Sequence, residues 1–189
     1  MKQLLFMRHG ESEMNARGLF GGAQPHIQLT ALGRQQAELA GNEYLGTPID
    51  IIVASNLDRA QDTAKLFAAG INFPIDKIKT DARLHEIDVG ALTGQPDHGF
   101  GEGLKYLASR VDPTAETPEA VMARIKDFLV DFIPAVPADS TVLMVAHAGI
   151  ARVMRSLLTP VPLLDIAETT IPNAEPFELP LTNLTDILT

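Results

Sequence analysis

Cysteine and tryptophan are absent from this 189-residue chain, aromatic residues make up only 5% of it, and its 15 Lys and Arg are outnumbered by 24 Asp and Glu. Without cysteine there can be no disulfide, no thiolate metal site and no cysteine nucleophile. A formal net charge of −9 argues against non-specific binding to nucleic acid or an anionic membrane, since such partners need a cationic face. A small anionic substrate held in a locally cationic pocket stays compatible with it. No apolar run approaches the roughly 20 residues that span a bilayer. The run Leu4–Met7 is too short for the core of a secretion signal and stops at Arg8. These shortages lead us to expect a cytoplasmic protein with neither a nucleic-acid nor a membrane partner. What is present, 46% apolar and 21% charged residues, suits one globular domain over 1–189. There is no internal repeat or low-complexity tract, and nothing indicates an oligomeric state.

Four segments read as short strands: Gln3–Met7, Asp50–Ala54, Ile75–Lys79 and Thr141–Ala146. Three are near-continuous apolar runs, the pattern of strands covered on both faces. Helical stripes lie between and after them. Leu32, Leu39, Ala40 and Tyr44 form one, Leu57, Ala60, Ala64, Phe67 and Ala68 a second, and Val121, Ile125, Phe128, Leu129 and Phe132 a third. Ser55 with Asp58 reads as a capping box, Thr117 and Pro118 as N-cap and first helical residue. A last helix is expected over Ile150–Leu158. Strands alternating with helices predict a three-layer α/β/α fold with a mostly parallel sheet. The glycine-rich stretch 90–115 reads as a loop or short inserted cap. The proline-rich tail from Thr159 reads as coil with an edge strand near Phe177–Leu181.

Each strong strand runs into chemistry. Gln3–Met7 leads to Arg8, His9 and Gly10, Asp50–Ala54 to Ser55 and Arg59, and Thr141–Ala146 to His147, Ala148 and Gly149. Ligands of open α/β sheets bind beyond the carboxyl ends of the strands, so Arg8, His9, Arg59 and His147 should meet there. Arginine offers planar, bidentate donors to phosphate oxygens, and helix N-termini add backbone donors. Taken singly, Arg8 is an ordinary surface ion-pair partner and His147 an ordinary core histidine; their joint placement makes an anion site suited to a phosphoryl group. A zinc set of His9, His147 and Glu86 is conceivable, but two guanidinium groups beside it would repel a cation and no HExxH spacing occurs. No metal or cofactor is expected.

Arg8-His9-Gly10-Glu11 with Ser12 and Asn15 resembles the signature of the histidine phosphatase superfamily, the phosphoglycerate mutase-like family. Further runs resemble it in order: Leu29-Thr30 with Gly33 and Gln36-Ala37, then Ser55 with Arg59-Ala60 and Thr63-Ala64. Leu84, Glu86, Gly90 and Gly94 follow, and finally Ala146-His147-Ala148-Gly149. The resemblance implies His9 as a nucleophile that becomes phosphorylated, with Arg8, Arg59 and His147 binding the phosphoryl oxygens. It implies Glu86 as proton donor to the leaving oxygen, and Asn15 with the backbone at Ala148 or Gly149 as further phosphate contacts. Asp88, Glu11 and Glu13 are the other acidic candidates. His26 reads as a loop residue, His85 as a pocket-rim residue and His98 as solvated.

Family mutases carry extra basic residues in the cap, whereas between Glu86 and Ala120 this chain has only Lys105 and Arg110. The resemblance therefore points to a phosphomonoester hydrolase with a small phosphorylated substrate. A phosphoglycerate mutase-type phosphotransferase and a non-catalytic phospho-ligand binding protein are the alternatives.

Overall fold

The computed structural model describes residues 1–166, 169–184 and 187. The parts of the tail at 167, 168, 185, 186, 188 and 189, for which coil was expected, lie outside the described residues. The described strands are β1 (Gln3–Arg8), β2 (Ile51–Ser55), β3 (Lys79–Asp81), β4 (Thr141–Ala146) and β5 (Phe177–Glu178). The helices are α1 (Glu13–Ala16), α2 (Ala31–Glu43), α3 (Asp58–Gly70), α4 (Phe100–Ser109), α5 (Pro118–Phe132), α6 (Ala148–Leu158) and α7 (Leu163–Ile166). The sheet runs β3-β2-β4-β1-β5, parallel except for β5 against β1.

Successive side chains of a strand point to opposite faces, and the core divides accordingly. Leu4 and Phe6 of β1 with Val142 and Met144 of β4 pack against Val121, Ile125 and Phe128 of α5 and Ile150, Val153 and Met154 of α6. Leu5, Met7, Ile52, Leu143 and Val145 face the other way, onto Ala40 of α2 and Ala64, Phe67 and Ala68 of α3. Both faces are covered, which is why these strands carry no polar alternation. The expected three-layer α/β/α architecture is present.

Local expectations are corrected at five places. The third strand is Lys79–Asp81, while Ile75–Lys77 forms a 3₁₀ turn; the isoleucines there mark a half-exposed turn rather than a covered strand. The packed face of α2 is Gly33, Ala37, Ala40 and Gly41, leaving Leu32 and Leu39 half exposed. Small residues win because α2 and α3 approach closely: a Cβ on Gly41 would lie 2.5 Å from the Phe67 carbonyl oxygen. Ser55 does not cap α3. Its N-cap is Leu57, without a side-chain bond, and Ser55 Oγ instead accepts the Leu57 N–H. The stretch 90–115 holds a ten-residue helix, α4, which buries Gly103, Leu104 and Leu107. In the tail, α7 interrupts the coil and the edge strand is confined to Phe177–Glu178.

Parallel register sets the site. Arg8 pairs with Ala146 and Ala54 with Val145, so β1, β4 and β2 end side by side. The His9 N–H donates to the Ala146 carbonyl at 2.9 Å, bringing His9 and His147 together just past the sheet.

Candidate active site

His9 leaves β1 into a turn that only glycine permits. A Cβ on Gly10 would collide with the Gly33 carbonyl oxygen, and one on Gly33 with the Glu11 carbonyl oxygen. The turn therefore lies directly on the start of α2, and the Gly10 N–H is tied to Thr63 Oγ1 on α3 at 3.0 Å. This holds the Gly10 carbonyl 2.7 Å from His9 Nδ1. A carbonyl can only accept, so Nδ1 carries the proton and Nε2 keeps its lone pair. Arg59 Nε donates to that Nε2 at 3.2 Å, which requires the same tautomer. Burial first, then Arg59 and Arg8, push the His9 pKa well below the usual 6.5, leaving a neutral imidazole.

Arg59, on the first turn of α3, is 3% exposed. Its Nη1 and Nη2 donate to the Gln24 and Gly22 carbonyls at 2.9 and 2.8 Å. Burial lowers its pKa to about 10, still a cation at neutral pH. Arg8 donates through Nη1 to the Ile171 carbonyl at 2.8 Å, while its Nε is buried without a partner among the described residues. Its pKa is lowered chiefly by burial, with Glu86 and Asp97 opposing. His147 is completely buried, edge-on to His9 with ring centroids 5.2 Å apart. Burial, then Arg59 and His9, hold its pKa well below 6.5.

Arg8, His9 and Arg59 border a cavity of about 200 Å³ whose wall also includes Asn15, Glu86 and Ala148. His147, fully buried, packs against His9 and is not itself part of that wall. Glu86 is fixed by two backbone donors, Ile87 N–H to Oε1 at 3.0 Å and Gly149 N–H to Oε2 at 3.2 Å. Asn15 caps α1 jointly with Ser12, and its Oδ1 accepts from Ser12 N–H and Oγ–H. Its amide Nδ2 is thereby kept as the donor. The other acidic candidates are engaged elsewhere: Glu11 accepts from Thr30 Oγ1 and Asp88 from the Gly90 N–H, while Glu13 is exposed. His26 pairs with Asp58 at the surface, 3.1 Å away. His85 donates from Nδ1 to the Glu86 carbonyl at 2.7 Å, and His98 is exposed. Among the described residues no group of three or more His, Asp or Glu side chains is placed to hold a metal ion.

Several cavity residues escaped the sequence reading, among them Phe20, Asp97, Phe100 and Arg152. Arg152 shares a face of α6 with Ala148, four residues earlier, a spacing that could have revealed it. Its guanidinium lies 4.6 Å over the Phe100 ring and donates to the Thr169 carbonyl. Asp97 and Phe100 come from the stretch read as a loop, which carried no periodic signal at Asp97. Asn173 in the tail donates to the His9 carbonyl at 2.7 Å, a contact without local signature.

The profile of the histidine phosphatase superfamily, branch 1, matches residues 4–183. The chain belongs to that superfamily. Among relatives, it is 31% identical over 182 residues to a Hydrogenobacter thermophilus protein provisionally named phosphoserine phosphatase 2, covering 92% of this chain and 87% of that one. It is 30% identical to the 2,3-bisphosphoglycerate-dependent phosphoglycerate mutase of Pasteurella multocida, covering 92% of each. A solved mycobacterial glucosyl-3-phosphoglycerate phosphatase superposes with a TM-score of 0.77 at 25% identity, over 94% of this chain and 89% of that one. Enzymes of the superfamily named as phosphatases and as mutases are thus similar to it at comparable levels. No described helix is long and apolar enough to cross a membrane.

Proposed function

We propose that the protein is a phosphomonoester hydrolase working through a phosphohistidine at His9. The His9 Nε2 lone pair attacks phosphorus as the bond to the alcohol oxygen breaks, and that oxygen takes the Glu86 proton. Arg59 Nε, which holds Nε2 in place, passes its hydrogen bond to a phosphoryl oxygen. Arg8, Arg59, Asn15 and the backbone N–H groups at the start of α6 meet the charge spread over the equatorial oxygens, where phosphoryl transfer is chiefly catalysed. In the second half Glu86 takes a proton from water, whose oxygen attacks phosphorus as the P–N bond breaks. His9 regains its lone pair and phosphate leaves. Dividing hydrolysis into two displacements is ordinary covalent catalysis.

The observation that favours hydrolysis over a mutase is the cap side of the cavity. Apart from the carboxylate of Asp97, its wall there is apolar, with Phe20, Phe100, Leu104 and Leu107. The two cap cations are turned outward into exposed ion pairs, Lys105 with Glu102 at 2.6 Å and Arg110 with Glu119 at 3.3 Å. The cap thus offers no cationic clamp for the second phosphate of a bisphosphate. The favoured substrate is then a phosphomonoester whose alcohol part is uncharged and apolar enough to lie against Phe20 and Phe100. Arg152 is what speaks for the mutase reading, as a cation beyond those at His9.

Product analysis tests this. With a panel of neutral alkyl and aryl phosphates, phosphoserine and 3-phosphoglycerate, we expect release of inorganic phosphate, fastest for the neutral members. Interconversion of 3- and 2-phosphoglycerate at or above the rate of phosphate release would establish the mutase instead. Tight binding of phosphate esters without turnover would establish the non-catalytic reading.

A further inference from the structure

The contact between Ser55 and His147 has no part in the steps above. Ser55 ends β2, and both residues are fully buried. Ser55 Oγ lies 2.9 Å from His147 Nε2 and accepts the Leu57 N–H at 3.2 Å. His147 Nδ1 is buried with no hydrogen-bond partner among the described residues. Buried polar atoms in native folds are nearly always paired, and an exception calls for a reason.

A neutral imidazole has one N–H, and the bond made by one ring nitrogen decides where it sits. With the proton on Nε2, Ser55 Oγ would accept twice and its own hydroxyl proton would have no acceptor among the described residues. With the proton on Nδ1, Ser55 O–H donates to Nε2 and both hydroxyl functions are used. The unpaired atom is then an N–H donor on a ring packed edge-on against His9, and an anion on His9 is what such a donor lacks.

We propose that Ser55 is a positioning residue that locks His147 in its Nδ1–H tautomer, making that N–H a preformed donor to the phosphoryl group on His9. The inference rests on the phosphoryl-transfer reading above. No proton moves: His147 only donates a hydrogen bond and stays neutral throughout. The motif role that sequence gives Ser55, a helix cap, is thereby replaced by one at the site.

The test is a long-range ¹H–¹⁵N spectrum of ¹⁵N-histidine-labelled protein near neutral pH, with His147 identified by single replacement of the other histidines. The expected result is a protonated, pyrrole-type Nδ1 and a pyridine-type Nε2 at His147. Ser55→Ala should lose this pure pattern and slow single-turnover phosphorylation of His9 by about 10–100-fold, as loss of an outer partner does for metal-bound histidines. Ser55→Thr, which keeps the hydroxyl, should retain the tautomer and recover most of the rate. A proton on Nε2 in the unaltered protein overturns the proposal, and that spectrum decides whether or not the variants fold. A folded Ser55→Ala with undiminished phosphorylation also overturns it. If His147 shows Nδ1–H while no phosphomonoester ever labels His9, the hydrolase reading fails and takes the donor role with it, whereas the tautomer assignment stands.

Discussion

Gly149→Ala tests the proposed proton donor, Glu86, by displacing that side chain rather than replacing it. Gly149 sits in the first turn of α6, where alanine is the better helix former by roughly 1 kcal/mol, so the fold should hold. A Cβ there would lie 2.5 Å from Glu86 Oε1 and 2.9 Å from Ile87 Cδ1. Ordinary contact begins near 3.4 Å, so the Glu86 carboxyl has to move by about 1 Å. That movement also stretches the bond from the Gly149 N–H. A misplacement of about 1 Å can cost on the order of 100-fold in rate, within the roughly 10²–10⁴-fold that general acid catalysis contributes. The loss should depend on the leaving group. An alkoxide must be protonated as it departs, whereas p-nitrophenolate leaves unaided near neutral pH. Single-turnover phosphorylation of His9 should therefore slow about 100-fold with an alkyl phosphate and far less with p-nitrophenyl phosphate. Equal slowing for both, or none for the alkyl ester, would refute the placement of Glu86 as the acid.

Glu86→Gln should show the same leaving-group dependence more strongly, within about 10²–10⁴-fold, read in the same assay. EDTA should leave turnover intact while vanadate inhibits competitively; loss in EDTA with recovery on adding zinc would overturn the metal-free reading. Gly33→Ala should unfold at markedly lower urea concentration, because its Cβ meets the Glu11 backbone rather than a movable side chain; overpacking typically costs about 1–3 kcal/mol. Stability should also fall in mild acid. His9 and His147 have folded pKa values depressed well below 6.5, so below about pH 6.5 the unfolded chain binds protons that the folded one does not. Their contribution is complete above that pH and is lost as pH falls toward the folded values, which urea titrations between neutral and acid pH would detect.

Much of this was legible because the informative strands are covered on both faces and stand out as apolar runs ending in Arg8-His9, Ser55 and His147. Parallel pairing then forces those ends together, so the meeting of His9, Arg59 and His147 followed from topology alone. The α2 face was misread because apolarity was taken as the sign of packing, whereas close helix approach at Gly41 selects for the absence of a side chain. Ser55 was mistaken for a cap because its acidic neighbour at Asp58 imitates a capping box; its partner His147 is 92 residues away. The helix α4 was hidden by Gly101 and Gly103, although Phe100, Leu104 and Leu107 follow helical spacing. Asp97 and Asn173 reach the site from irregular segments, whose paths depend on tertiary contacts that no local pattern records.

The central claim is that His9 carries the phosphoryl group and gives it to water. Rapid quenching of the enzyme with a ³²P-labelled phosphomonoester tests it most directly. The account predicts acid-labile, base-stable label on the peptide containing His9, absent in His9→Ala, that decays to free phosphate at a rate matching turnover. Label-free turnover, or full turnover by His9→Ala, would contradict it.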